Sequence, residues 1–331
     1  MILLMAAAGA SSSVTPTAVK FAAAGHFGAI YVSEDGLTWN TQSVTGVTFG
    51  NTDIHGIVWG AGKFVAVTAN SMVGYSTNGY NWNCSTIAGN HNFRSVAYIS
   101  SVGKFIAVTS TTALFYSVDA VNWTQFAAPA APGNLYNWTS ASSPKAVVYP
   151  NDSSGTRLFA VDSNNVTSTI PSAGFGGLYN YLGSVAFVNN HWMCGGQAFK
   201  VSTSPVDSST GLPTGWTLVR DQTTLTTGGI RAMTYDTSRG MYIAVGSGTN
   251  SGNNGDAMIN KTTNINSWPA TPTSLASQLG SGVSINCVSI SPSLGIGVVG
   301  TSQGAYYTTD WVTFTQAFNL GGDIFNIAVS S

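Results

Sequence analysis

One short turn recurs along this chain, and any fold built from it must repeat with it. Ser33-Glu34-Asp35-Gly36-Leu37-Thr38-Trp39 returns as Ser76-Thr77-Asn78-Gly79-Tyr80-Asn81-Trp82 and as Ser117-Val118-Asp119-Ala120-Val121-Asn122-Trp123. A variant form is Thr308-Thr309-Asp310-Trp311-Val312-Thr313-Phe314. Each residue type has a local reason to be there. Ser or Thr and Asp or Asn accept hydrogen bonds from backbone amides a few positions on, and Gly or Asn tolerates a positive φ. The closing aromatic opens the next strand and covers the turn with apolar surface. Trp39, Trp82 and Trp123 fall roughly 40 residues apart, the length of a supersecondary unit that buries its faces only by stacking on copies of itself.

That period suits a four-stranded antiparallel blade, and the turn resembles the Asp-box, or BNR repeat, of sialidase-like and related β-propellers. The fold expected is all-β: a seven-bladed β-propeller of four-stranded antiparallel blades. Blades should end near Trp39, Trp82, Trp123, Phe175, Trp216, Trp268 and Phe314, with the fourth, fifth and sixth turns degenerate or expanded. Ser172-Ala173-Gly174-Phe175 keeps least of the motif, so a six-bladed ring with an insertion is the alternative.

Aligning on the turns exposes a first strand upstream of each. Seven can be written in register, starting at Asp53, Asn92, Ser143, Tyr181, Gly229, Ser284 and Asp323. Their fourth places hold Gly56, Ser95, Ala146, Ser184, Ala232, Cys287 and Asn326, all small, as wedge-shaped blades converging on an axis require. Their seventh places hold Trp59, Tyr98, Tyr149, Phe187, Tyr235, Ile290 and Val329, side chains large enough for the wider gap between blades. The last of these strands has no second strand after it, and Val19–Ala24, before the first turn, has no first strand before it. The carboxyl-terminal strand should therefore join the amino-terminal blade and close the ring, removing open sheet edges. The expected organisation is an apolar docking arm over residues 1–16 and a single propeller over residues 17–331.

Composition narrows the function. Charged residues make up 7% of the chain and net charge is −1, so its eleven Lys and Arg cannot form the dense basic stripe of a nucleic-acid or anionic-membrane binder. Cys84, Cys194 and Cys287 have no metal-ligand spacing, the four His are scattered, and neither a metal nor a cofactor is expected. Gly246–Asp256 is rich in Gly and Asn, but no helix follows it to receive a phosphate. Met1–Ala10 is apolar without a positive n-region, too short to span a bilayer, and suited to docking on a neighbouring subunit.

The resemblance to sialidases can be tested against residues. Those enzymes pair a Tyr nucleophile with a Glu, use an Asp acid/base and hold the substrate carboxylate with three Arg. This chain has one glutamate, Glu34, in the variable slot of a rim turn, so no glutamate is left to polarise a tyrosine and no enzymatic activity is expected.

Two binding sites are candidates. The third place of the aligned first strands reads His55, Arg94, Lys145, Gly183, Arg231, Asn286 and Phe325, a cation-rich column that would surround one mouth of the ring. His55, Arg94, Lys145, Arg231 and Asn286 could there hold a sulfate, phosphate or carboxylate. The alternative is that they pair with Asp53, Asp323 and strand-end carbonyls. Linkers between blades supply the second candidate, Tyr136-Asn137-Trp138 and Tyr179-Asn180-Tyr181, aromatics around an amide that suit sugar stacking.

The neutral, Ser/Thr/Gly/Asn-rich composition, the apolar start and the degenerate turns resemble those of bacteriophage tail and capsid-surface proteins. The expected function is a virion structural and attachment protein, docked to other virion subunits through its arm, with a host surface glycan as a further partner. The alternative is a stand-alone carbohydrate-binding propeller or a scaffold resembling the photosystem II assembly factors, whose Arg patch this chain holds at most in fragment.

Overall fold

The structure is a computed structural model. It describes residues 18–40, 49–110, 113–127, 135–142, 145–150, 158–161, 166–170, 182–196, 198–208, 213–220, 227–249, 255–319 and 321–331, with the blade formed by residues 135–170 described through its backbone. Residues 1–16, the expected arm, lie outside the described residues, as do Phe175 and its turn.

Among the described residues, six four-stranded antiparallel blades follow one another along the chain. The first comprises Ile54–Gly60, Lys63–Thr68, Met72–Ser76 and Asn83–Thr86, and the second Phe93–Ile99, Lys104–Thr109, Ala113–Ser117 and Thr124–Ala127. The third is Leu135–Ser142, Lys145–Pro150, Leu158–Val161 and Val166–Ile170, and the fourth Leu182–Val188, His191–Gly196, Val201–Pro205 and Thr217–Arg220. Thr227–Asp236, Met241–Thr249, Asp256–Thr262 and Thr273–Ser274 form the fifth, and Ile285–Ser291, Ile296–Thr301, Gly304–Thr308 and Thr315–Asn319 the sixth. A closing sheet joins Ile324–Val329 to Phe21–Gly25 and Ile30–Ser33. The innermost strands pack each against the next, and Ile324–Val329 packs back against Ile54–Gly60, which makes the arrangement a ring.

The expected seven four-stranded blades are corrected to six. The closing sheet has three strands among the described residues, and the place of a fourth is marked by one isolated bridge between Val32 and Asn40. Residues 41–48, which follow that bridge, lie outside the described residues. A second correction concerns the third blade. Its innermost strand is Leu135–Ser142, so the expected first strand starting at Ser143 is instead the second strand, with Lys145 paired to Ser142 and Ala146 to Ala141.

Second strands are buried on both faces, between a strand on each side and a blade above and below. Phe64–Val67 and Phe105–Val108 accordingly read as unbroken apolar runs and are fully buried. The large seventh-place residues cap them: Trp59 packs on Phe64, Tyr98 on Phe105, Phe187 on Trp192 and Tyr235 on Tyr242, with ring centroids 4.6 to 5.1 Å apart.

The recurring turn is held by its own side chains. Ser33 Oγ accepts from the Gly36 amide at 2.8 Å and donates to the Thr38 carbonyl at 2.7 Å. Asp35 Oδ1 accepts from the amides of Leu37 and Thr38, and Trp39 Nε1 donates to the Gly36 carbonyl at 3.0 Å. The same bonds to the third-place oxygen recur at Asn78, Asp119 and Asp310. Thr262–Trp268, degenerate in sequence, builds a related turn: Asn264 accepts from the Asn266 amide and Trp268 Nε1 donates to the Ile265 carbonyl at 2.9 Å. Ile265 needs no glycine there because its φ is not positive.

Where the fourth place is Trp311, its φ is 59° and the ring leaves the turn to enter the fifth blade. There Nε1 donates to Asp236 Oδ2 at 2.7 Å. Asp236 is wholly buried and also takes Arg239 Nη1 at 2.8 Å, while Arg239 Nη2 donates to the carbonyls of Gly295 and Thr309 on the sixth blade. Burial pushes the Asp236 carboxyl pKa up, but its bonds from Ser238, Trp311 and Arg239 outweigh that and hold it below the usual range. Gly297 leaves the space for the indole, since a methyl group there would overlap the Trp311 ring.

Two stability predictions follow from these contacts. Asp119→Ala should cost about 1 kcal/mol in urea unfolding, as loss of a capping oxygen does, whereas Asp119→Asn, which copies Asn78, should retain most of it. Gly297→Ala should cost about 1–3 kcal/mol by overpacking and lower the thermal midpoint.

Candidate functional site at the mouth of the ring

The third-place column is defined by backbone geometry as well as by residue type. In each innermost strand outside the third blade, register against the second strand slips by one residue at the same point, leaving His55, Arg94, Gly183, Arg231, Asn286 and Phe325 unpaired. Each is the extra residue of a β-bulge, a device that bends the strand and re-aims a side chain. In five of these strands the bulge is the second residue, and in the fifth blade it follows four ladder pairs of a longer strand, so that all six stand at one level of the ring axis. In the third blade the register instead skips Tyr136 and Asn137, whose backbone therefore stands at the same level.

Register thus brings half of one candidate cluster to the mouth and removes part of the other. Tyr136-Asn137-Trp138 lies in an innermost strand instead of a linker, while Tyr179, Asn180 and Tyr181 lie outside the described residues. Lys145 opens the second strand at the end of the blade away from the bulge. At Gly183 a Cβ would run into the Ile230 carbonyl of the next blade, so this bulge carries no side chain.

His55, Arg231 and Asn286 reach toward the next sheet. His55 Nδ1 donates to the Phe93 carbonyl at 2.9 Å. Its pKa lies below the usual imidazole value, chiefly because of burial, with the Arg94 charge adding to the effect against the opposing pull of the Phe93 bond and Asp53. Arg231 Nη1 donates to Asn286 Oδ1 at 2.5 Å, and Asn286 Nδ2 donates to Asp323 Oδ1 at 3.0 Å. Asp323 Oδ2 faces His26 Nε2 at 2.9 Å, and His26 Nδ1 faces Asp53 Oδ1 at 2.9 Å. A polar chain of Arg231, Asn286, Asp323, His26 and Asp53 therefore follows part of the mouth.

Arg94 stands outside this chain. Its Nε is buried and has no acceptor among the described residues, and two residues earlier Asn92 Oδ1 is buried with no donor. Beside the mouth Phe27 is 68% exposed at φ 57°, unusual for a bulky residue. Sequence reasoning singled out neither His26 nor Phe27.

Other reactive groups are occupied or quenched. Glu34 accepts from Tyr80 Oη at 3.4 Å on the rim. Burial pushes the Cys84 thiol pKa up to about 11, that of Cys287 up to about 12 and that of Cys194 well up. Among the described residues no group of His, Cys, Asp or Glu is arranged to hold a metal, and no helix is long and apolar enough to cross a membrane.

This ring of radial antiparallel blades is a β-propeller. It is similar to YCF48 bound to D1 peptide, at TM-score 0.57 and 14% identity, over 80% of this chain and 82% of that one. It is also similar to the WD40 propeller domain of Doa1, at TM-score 0.59 and 13% identity over 88% and 90% of the two chains. The Cps50 (Swd1) propeller domain of Myceliophteria thermophila matches at TM-score 0.61 and 11% identity over 88% and 96%. No family model matches the chain, and no curated protein does.

Asn286→Ala would leave Arg231 and Asp323 each short of a partner. It should cost about 1–3 kcal/mol in urea unfolding, more than the same change at exposed Asn51.

Proposed function

We propose that this chain is a non-enzymatic scaffold that docks an acidic segment of a partner protein at the mouth of its ring. The observation that carries the reading is Arg94: a bulge aims it at the mouth, and its buried Nε has no acceptor. Buried polar atoms in native proteins are satisfied, by protein, water or ligand. The unsatisfied acceptor at Asn92 favours a polypeptide over a simple anion, because a polypeptide offers both a carboxylate for Arg94 and an N–H for Asn92. Phe27 supplies an exposed ring for an apolar side chain of the same segment. The solved structure of a propeller with a bound peptide supports this mode of use, and the quenched thiols and the rim position of Glu34 support a role without catalysis.

The setting we propose is a virion surface, as a structural and attachment protein of a bacteriophage tail or capsid. Support comes from the charge-poor composition and the apolar residues 1–16, read as an arm that docks on a neighbouring virion subunit. The turns built like Asp-boxes support a relationship to that family. A host glycan at Tyr136, Asn137 and Trp138 would be a second ligand.

A glutamate-rich peptide should bind the full chain with salt-sensitive affinity, at least about tenfold weaker in Arg94→Ala, a loss typical of one charge-assisted contact, and weakened also in Arg94→Lys, which keeps the charge but has no N–H at the Nε position. Equal affinity in the alanine variant would overturn the docking site. Sedimentation of native source material followed by mass spectrometry tests the setting: the chain should travel with a large particle, and recovery only as free protein would refute the virion reading.

A further inference from the structure

We propose that His26 is a proton-operated latch across the seam of the ring: as an imidazolium it donates to Asp53 and Asp323 together, and on losing its proton it releases one of them and loosens the turn that carries Phe27. This goes beyond the docking function and needs no partner.

The latch sits where the ring closes. His26–Gly28 is the turn between two strands of the closing sheet, Phe21–Gly25 and Ile30–Ser33. Asp53 lies immediately before the innermost strand of the first blade, and Asp323 immediately before Ile324–Val329. One imidazole therefore ties the closing sheet to the first blade through ring nitrogens that each lie 2.9 Å from a carboxylate oxygen. Ionised carboxylates only accept hydrogen bonds. Both nitrogens must carry protons for both contacts to be favourable, and a neutral ring would set a lone pair against one carboxylate.

The surroundings favour the charged ring. Asp53 and Asp323 are the carboxylates that face it. Phe325 packs edge-on at 4.6 Å and contributes no charge, and Phe27 lies 5.6 Å away on the turn itself. His55, across Phe325 at 5.4 Å, opposes a second positive charge, but burial lowers its own pKa below 6.5 and so favours its neutral form. Arg94 acts on His55, and Arg231 is spent on Asn286, which holds the other oxygen of Asp323. Burial pulls the His26 pKa down, yet the bonds and charges of the two aspartates outweigh it and raise the value above 6.5. The Asp53 carboxyl lies below 3.8, where burial is outweighed by the His26 bond and the Phe27 amide.

The signs give a window. A raised His26 pKa means that its contribution is whole below pH 6.5 and is lost as pH rises through the folded value. The lowered Asp53 pKa means that its contribution is whole above pH 3.8 and is lost as pH falls through its folded value. The latch is therefore shut between those limits and opens on the alkaline side. Opening reaches Phe27 because its amide donates to Asp53 Oδ1 at 3.2 Å, which helps hold φ 57° and ψ 31° in a residue with no intrinsic preference for them.

Nitrogen-15 NMR of the histidine-labelled full chain reads this directly. His26 should carry protons on both ring nitrogens at pH 6.5 and titrate above that value. Asp53→Asn and Asp323→Asn should each lower its midpoint. Hydrogen-exchange protection at the Phe27 amide should fall as His26 deprotonates in the native chain, and should stay low and unchanging with pH in His26→Gln. A His26 midpoint at or below 6.5, or Phe27 protection indifferent to the titration, would overturn the latch.

Discussion

Pairing of Ile324–Val329 with Phe21–Gly25 is the contact on which the remaining architecture depends. It sets Phe21 against Val329 and Ala24 against Asn326, joining residues about 300 positions apart. Closing a loop of that length costs about 5 kcal/mol in chain entropy, and the closing contacts must offset it. Five ladder positions, the Ser330 amide on the Lys20 carbonyl and Ser330 Oγ on the Val19 carbonyl all act at this seam. Once the seam is shut, every innermost strand has a neighbour on both sides, and their bulges come to one level around the axis.

The scarcity of charge takes on a structural meaning in this ring. Lys63 Nζ donates to the Asp119 carbonyl in the second blade, and Lys261 Nζ to the Trp311 carbonyl in the sixth. Arg220 reaches from the fourth blade to the carbonyls of Pro269 and Ala270, between the third and fourth strands of the fifth, and Arg239 clamps the fifth blade to the sixth. These cations satisfy turn carbonyls that no strand pairs with, at the boundaries where blades meet. Arg94 differs from them in that its buried Nε has no acceptor among the described residues.

Legibility followed the range of the interactions. The Asp-box-like turns were readable because their bonds span two or three residues, and their recurrence named the blade. In the third blade Lys145-Ala146-Val147-Val148 is a second strand, yet its sequence is apolar enough to pass for an innermost one. Lys63 and Lys104 open the second strands of the first two blades, and that was the signal that Lys145 opens a second strand too. Bulges cannot be seen in a single strand, since a bulge is a mismatch between two. His26 escaped notice because its aspartates are 27 and 297 residues away.

The chain alone determined its all-β character, its repeating turn, the small-to-large taper of most innermost strands and the scarcity of charge. These depend on alternation, local hydrogen bonds and composition, all of which are written over short stretches. Tertiary structure decided the rest: among the described residues, six four-stranded blades with a three-stranded closing sheet, the carbonyls that the cations reach, and the meeting of His26 with two distant carboxylates. Those outcomes rest on register between strands and on closure of the ring, and neither exists until segments far apart in sequence are placed side by side.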